Sequence, residues 1–371
     1  MIDKNTIAAA VMVKNEESRI LTTISSVHGK IDGIILCDTG SCDNTIDLVE
    51  DFAKDHDMKF HLLKISFEDF STTRNKMLEF ANNLHYDYLL LLDSNDELKC
   101  EQKALYKLVE NNKDSDVFMI QQSWFTGPTE CNFFNIRLIR NREKYRYKGC
   151  VHEFLDVGKD KITVVKAPIG QKPPIVIYQD RVLDNDGKTR IRWKNDEILL
   201  KKELALNPAC SRTQYYLAQT YDCLNRKKDA HFYYRMRSKN KNGFFEERFL
   251  SMMKCADFET DEEEKIMWCL RAFDVLERAE PLVTLCRVYR AKNKFKIAQT
   301  FAKLACSLPY PDECILFVDQ KMYSNDRWQE MAICSFYIQE FKEGRSACLK
   351  AIESGYDKEL NEKNLTFYDK L

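Results

Sequence analysis

The chain has 371 residues, of which 44% are hydrophobic and 31% charged, and its net charge is −1. That length allows two domains, or three, and the composition is that of an ordinary globular protein. A charge so close to zero removes the basic excess that nucleic acid or an anionic membrane would call for.

In chain order, strand-like runs first alternate with helix-like ones. IAAAVMV (7–13), GIILCD (33–38), FHLLKI (60–65), YLLLLD (88–93) and VFMIQQSW (117–124) read as strands. Amphipathic patterns over 16–28, 45–56, 71–84 and 101–112 read as helices. This rhythm predicts a doubly wound, mostly parallel sheet in an N-terminal α/β domain, residues 1–188. Past about residue 190 the strand signals stop, and residues 189–371 are expected to be all helix. There Tyr221, Ala230 and Tyr234 share their spacing of nine and then four with Tyr289, Ala298 and Ala302. Ile338, Ala347 and Ala351 fit the same spacing, and Ala256, Lys265 and Cys269 match more weakly. The wide last gap predicts an insertion around PYPDE. Small residues at those places let antiparallel helices approach closely.

The fourteen cysteines show no C-x-x-C pair, so their spacing signals neither a zinc nor a redox site. Those in apolar helical stretches (Cys255, Cys269, Cys286, Cys306, Cys334) read as reduced thiols packing as small hydrophobes. The apolar stretch near the N-terminus has an acid before it and no small-residue cleavage site after it. No run approaches the ~20 apolar residues of a membrane helix. A cytoplasmic protein without a transmembrane segment is expected.

Chemistry-bearing residues cluster where strands are predicted to end. In α/β sheets of this kind ligands bind just past the carboxyl ends of the strands. Lys14, Asn15 and Glu16 follow the first strand, where free backbone groups can read the edge of a base. Asn15 can equally cap the following helix. Asp38 ends the second strand, Gly40 permits a tight turn, and a carboxylate there suits a base or ribose. Arg74 and Asn75 open a helix, where an arginine can meet a phosphate or the sheet's acids. YLLLLDSNDEL then delivers Asp93, Asn95, Asp96 and Glu97 together. Capping of the next helix would account for Asp96 and Glu97, but not for Asp93. The aromatic-rich segment 122–135 reads either as an acceptor loop or as a core corner. His152 and Glu153 follow a run of aromatic and basic residues.

VMVKNEE, CDTGSCDNT, RNKMLEFA and LLLLDSNDEL stand in this order in the chain, followed by RLIRN and YKGCVHEFL. Together they resemble glycosyltransferase family 2 over roughly residues 5–185. The resemblance implies a GT-A fold and an inverting transfer of sugar from a nucleotide-sugar donor, commonly a UDP-sugar. It implies that Lys14, Asn15, Glu16, Asp38, Gly40, Ser41, Arg74, Asn75 and Ser94 hold the donor. It further implies that Asp93, Asn95 and His152 bind Mn²⁺ or Mg²⁺, which stabilises the leaving diphosphate as a Lewis acid. The family's usual Asp-x-Asp is here Asp-x-Asn, which removes one negative charge. Glu153 is the expected base, with Asp96 and Glu130 as rivals. The helical half resembles tetratricopeptide repeats, and it is expected to recruit a glycan or polypeptide acceptor, to bind a protein partner or a second copy of the chain, or simply to cover the sheet. The alternative is a catalytically decayed GT-A domain carrying a helical scaffold for protein binding. A sugar nucleotidyltransferase would need a glycine- and arginine-rich loop where this chain has VKNEES.

Overall fold

The computed structural model describes residues 5–126, 129–166, 173–180 and 186–370. The chain divides into two compact units, Met1–Arg192 and Trp193–Leu371.

In the first unit, β1 (Ile7–Val13) is built around three consecutive alanines with no exposed surface. β2 (Gly33–Asp38) and β4 (Tyr88–Asp93) lie parallel to it on either side, and β3 (Lys59–Lys64) follows β2. Continuous apolar runs form these strands because helices cover both faces. α1 (Ile20–Val27), α2 (Thr45–Asp55) and α4 (Ala104–Asn111) pack on the face bearing Val11, Leu36 and Leu90. α3 (Phe70–Asn82) packs on the face bearing Ala10, Cys37 and Leu91. The register brings the strand ends level: Val13 lies opposite Asp38, and Met12 opposite Asp93.

Beyond β4 the sheet becomes mixed. β5 (Asp96–Cys100), β6 (Val117–Thr126), β7 (Thr129–Arg140), β10 (Ile162–Val165) and β11 (Ile175–Asp180) complete nine strands among the described residues. β8 (Arg146–Lys148) and β9 (Phe154–Asp156) form a separate two-stranded ribbon. Three expectations are corrected here. In segment 122–135 the described residues, 122–126 and 129–135, are neither loop nor corner but paired strand of β6 and β7. Asp96 and Glu97 cap no helix; they open β5, which pairs antiparallel with β11. The first helix begins at Ile20 with Arg19 at its cap, and Asn15 sits in a turn at φ +55°.

The second unit stacks helices in pairs: α6 (Ser211–Cys223) with α7 (Lys227–Lys239), α8 (Phe245–Phe258) with α9 (Glu262–Val275), α10 (Ala279–Ala291) with α11 (Phe295–Ser307), and α12 (Arg327–Tyr337) with α13 (Phe341–Glu353). α5 (Asp186–Leu206) precedes them and α14 (Lys358–Tyr368) follows. Three of the turns share one device. Asn225, Asn293 and Gln339 adopt φ +58°, +56° and +66°. The next residue's N–H returns to Tyr221, Tyr289 and Ser335 respectively, closing a left-handed helix stop. That chemistry sets the repeat register. The third unit therefore runs through Ser335, Gly344 and Cys348, three residues before the spacing of Ile338, Ala347 and Ala351. Gly344 stands where Ala230 and Ala298 stand in the other units, because the Tyr368 ring leaves no room for a Cβ there. The predicted insertion is the segment between α11 and α12, which ends in a π-turn over Met322–Asp326. Glu246 holds it by accepting the N–H groups of Ile315 and Leu316.

Candidate donor and acceptor site

The level ends of β1, β2 and β4 create the place, and the turns after them fill it. Asp38 is buried and turns back on its own loop. Its carboxylate accepts the N–H groups of Gly40 at 3.0 Å and Ser41 at 3.1 Å. Gly40, at φ +101°, makes that return possible. Ser41 Oγ accepts the N–H of Asn15, and Asn15 Oδ1 accepts the N–H of Cys42 at 2.8 Å. Asn15 thus ties the first turn to the second. Glu16 directs its carboxylate to Arg19 and its N–H to Thr45, while Lys14 is exposed. Asp38, Gly40 and Ser41, with Ile46 and Lys64 to Ser66, line an open cleft of about 390 Å³.

Asp93 faces the opposite side of the sheet, toward α3. Arg74 Nη2 reaches one of its oxygens at 2.5 Å and Arg137 Nη2 the other at 2.9 Å. Burial works against ionisation of Asp93, but Arg137 and then Arg74 outweigh it and hold its carboxyl well below the usual range. Arg74 Nε also donates to Glu153 at 2.6 Å, so one nearly buried guanidinium joins the two acids. Arg74 Nη1 is buried without a partner.

Arg137 is the residue that sequence reasoning missed. Opposite Phe118 and Met119 the pairing passes from Leu138 to Ile136, leaving Arg137 as a bulge. Bulges re-aim side chains in this way, and here the guanidinium reaches the Leu91 carbonyl, Asp93 and Asp96. RLIRN carried a signal only as a block in the family resemblance.

The other expected site residues are placed as follows. Asp96, expected as a rival base, has no exposed side-chain surface. Its Oδ2 accepts the N–H of Asp93 and its Oδ1 the amide of Gln179. Burial pushes its pKa up to about 6, against the pull of Arg137. It braces the turn. Asn75, expected on the donor, spends both ends of its amide on the backbone of Tyr147. That clamp fixes β8, and the loop from Gly149 to Glu153 then carries Glu153 to Arg74. Ser94 offers its carbonyl to Thr23. His152 is exposed at φ +51°. The side chain of Glu130 lies outside the described residues.

A divalent cation does not fit this donor set as it stands. Asp93 and Asp96 each give both oxygens to protein donors, so an ion at Asp93 would have to share its carboxylate with two guanidinium groups. Asn95, half-buried, offers one amide oxygen. Among the described residues, the one grouping of three potential ligand side chains within 4.8 Å of one another is Cys286, Glu330 and Cys334, far along the chain in the helical unit.

A parallel core with polar side chains gathered past its strand ends defines an α/β ligand-binding domain. Residues 9–156 match the model of glycosyl transferase family 2, and this segment is a domain of that family. The SPbeta prophage-derived glycosyltransferase SunS of Bacillus subtilis (strain 168) is 22% identical over 252 residues, covering 66% of this chain and 56% of that protein. Glycosyltransferase SunS of Bacillus phage SPbeta matches to the same extent. The chain thus spans little more than half the length of these curated relatives. Among solved structures, S. aureus TarS 1–349 in complex with UDP-GlcNAc is 14% identical, with a TM-score of 0.38, over 80% of this chain and 90% of that one. MamA is 16% identical with a TM-score of 0.35 over 46% of this chain and 87% of its own. No helix among the described residues is long and apolar enough to cross a membrane.

Proposed function

We propose that the chain is an inverting glycosyltransferase that moves a sugar from a UDP-sugar to a hydroxyl of a glycan, polysaccharide or polypeptide acceptor. One observation carries this reading: Arg74, nearly buried inside the family-matching segment, joins Asp93 at a strand end to Glu153 on the β8–β9 loop. In the reaction the acceptor oxygen attacks the anomeric carbon from the side opposite the diphosphate. The carbon–oxygen bond to the diphosphate breaks, and Glu153 takes the acceptor's proton. Arg74 orients Glu153, and its unpartnered N–H is available to a substrate oxygen. Asp38 and the backbone of its turn face the cleft that would take the uridine. No step is assigned to a divalent cation, because two guanidinium groups already neutralise Asp93.

The test is the thermal midpoint of the full chain with UDP, together with UDP release from a panel of UDP-sugars. A ligand at about a hundred times its Kd stabilises by roughly 2.7 kcal/mol, a shift of a few degrees. If no uridine nucleotide moves the midpoint and no UDP-sugar is turned over, the reading fails. The scaffold alternative draws on Asn95 and on the same neutralisation of Asp93. It predicts a UDP shift without turnover on any acceptor.

A further inference from the structure

The helical unit holds a cleft of about 280 Å³ where the end of α7 meets α8 and α9. It is lined by Lys239, Lys241, Arg248 and Arg271 against one acid, Asp274, with Trp268 in its wall. We propose that this cleft is a binding site for a phosphate-bearing ligand.

Three observations point there. First, the cations lack acids. Elsewhere in the helical unit many arginines and lysines are paired, such as Arg287 and Arg290 with Glu330, and Lys303 with Glu340. In the cleft, Arg248 donates to the carbonyl of Ser238. Lys239, Lys241 and Arg271 have no acidic partner among the described residues. Second, Trp268 is 1% exposed, and its indole N–H is buried without a hydrogen-bond partner. An unsatisfied buried donor costs about 1–3 kcal/mol, and a ligand oxygen would relieve it where the Trp268 wall yields to the ligand. Third, the guanidinium of Arg271 lies over the Trp268 ring at 5.2 Å. Stacking of this kind pre-orders the planar fork that suits phosphate oxygens.

The C-terminal dipole of α7 favours a nearby cation, which accounts for Lys239. It does not account for Arg248 and Arg271, which stand on other helices. Four cations around one small cleft match a group that concentrates two negative charges better than they match a single carboxylate. The inference stands whether or not the strand-end site takes a nucleotide.

The experiment is calorimetric titration of inorganic pyrophosphate into the full chain at constant ionic strength, without nucleotide, so that nothing else carrying a diphosphate competes for the cleft. Lys241→Glu combined with Arg271→Glu reverses two exposed charges, and Lys296→Glu is the control on an unrelated helix. The expected result is binding that weakens at least tenfold in the double variant and stays unchanged in the control. Trp268→Phe, which keeps a ring and loses the N–H, should weaken it several-fold. Absence of binding at millimolar pyrophosphate overturns the proposal, as does equal binding by the double variant. An oligoglutamate peptide that binds as tightly and shows the same sensitivity overturns it in favour of an acidic peptide.

Discussion

Two aspartates end strands on either side of β1, and the protein holds them by different means. Asp38 is satisfied within three residues of itself, by the N–H groups of Gly40 and Ser41. Asp93 is satisfied by Arg74 and Arg137, which lie 19 and 44 residues away. Their side chains also leave opposite faces of the sheet. A self-contained turn can line a cleft and keep its shape when a ligand enters. A carboxylate shared by two guanidinium groups belongs to a network, and whatever binds there must compete with it.

The comparison can be broken at several points. The largest effect is expected at the end of the Asp93 network. Glu153→Gln should lower turnover by about 10²–10⁴-fold, the usual worth of a positioned base, and leave the UDP-induced thermal shift intact. Turnover within a few-fold of wild type would move the base elsewhere.

Arg137→Met should come next. Removing one partner of a buried ion pair costs about 3–5 kcal/mol, read in urea as earlier loss of the first unit. Asp38→Ala loses local hydrogen bonds and should cost only about 1–2 kcal/mol. Equal costs would erase the distinction between the two aspartates.

Asp96 gives a pH test. Its folded pKa of about 6 lies above its unfolded value, so between pH 4 and 6 the native state binds more protons than the unfolded state. Its contribution to stability is therefore present at low pH and is lost as pH rises through about 6. Relative to Asp96→Asn, the wild type should lose roughly 2–3 kcal/mol from pH 4 to pH 7. A difference that is flat with pH would mean that Asp96 stays ionised throughout.

Asn75→Ala should cost about 1–2 kcal/mol through the two hydrogen bonds to Tyr147, with UDP affinity unchanged. A matching loss of UDP affinity would return Asn75 to the donor site. The smallest effect is expected from Mn²⁺. Added alone, it should leave the midpoint of the wild type where it was, since both oxygens of Asp93 are occupied. A clear shift would show that the arginines give way to a metal.

The chain's periodicities determined much by themselves. Apolar runs without polar interruption announced β1, β2 and β4, and Asp38 with Gly40 announced a strand-turn-helix link, because those signals are local. The helical half was equally legible from its spacing of small residues. The register of its last unit was not, since the left-handed residue Gln339 lacks the Asn signature of Asn225 and Asn293. Tertiary structure alone decided the rest. Which face Asp93 takes depends on pairing register, and the bulge that turns Arg137 inward depends on how β7 meets β6. Asn75 looked like a ligand until β8 came to lie beside it. A carboxylate's role follows from the charges folded around it, and in this sequence those charges stand tens of residues away.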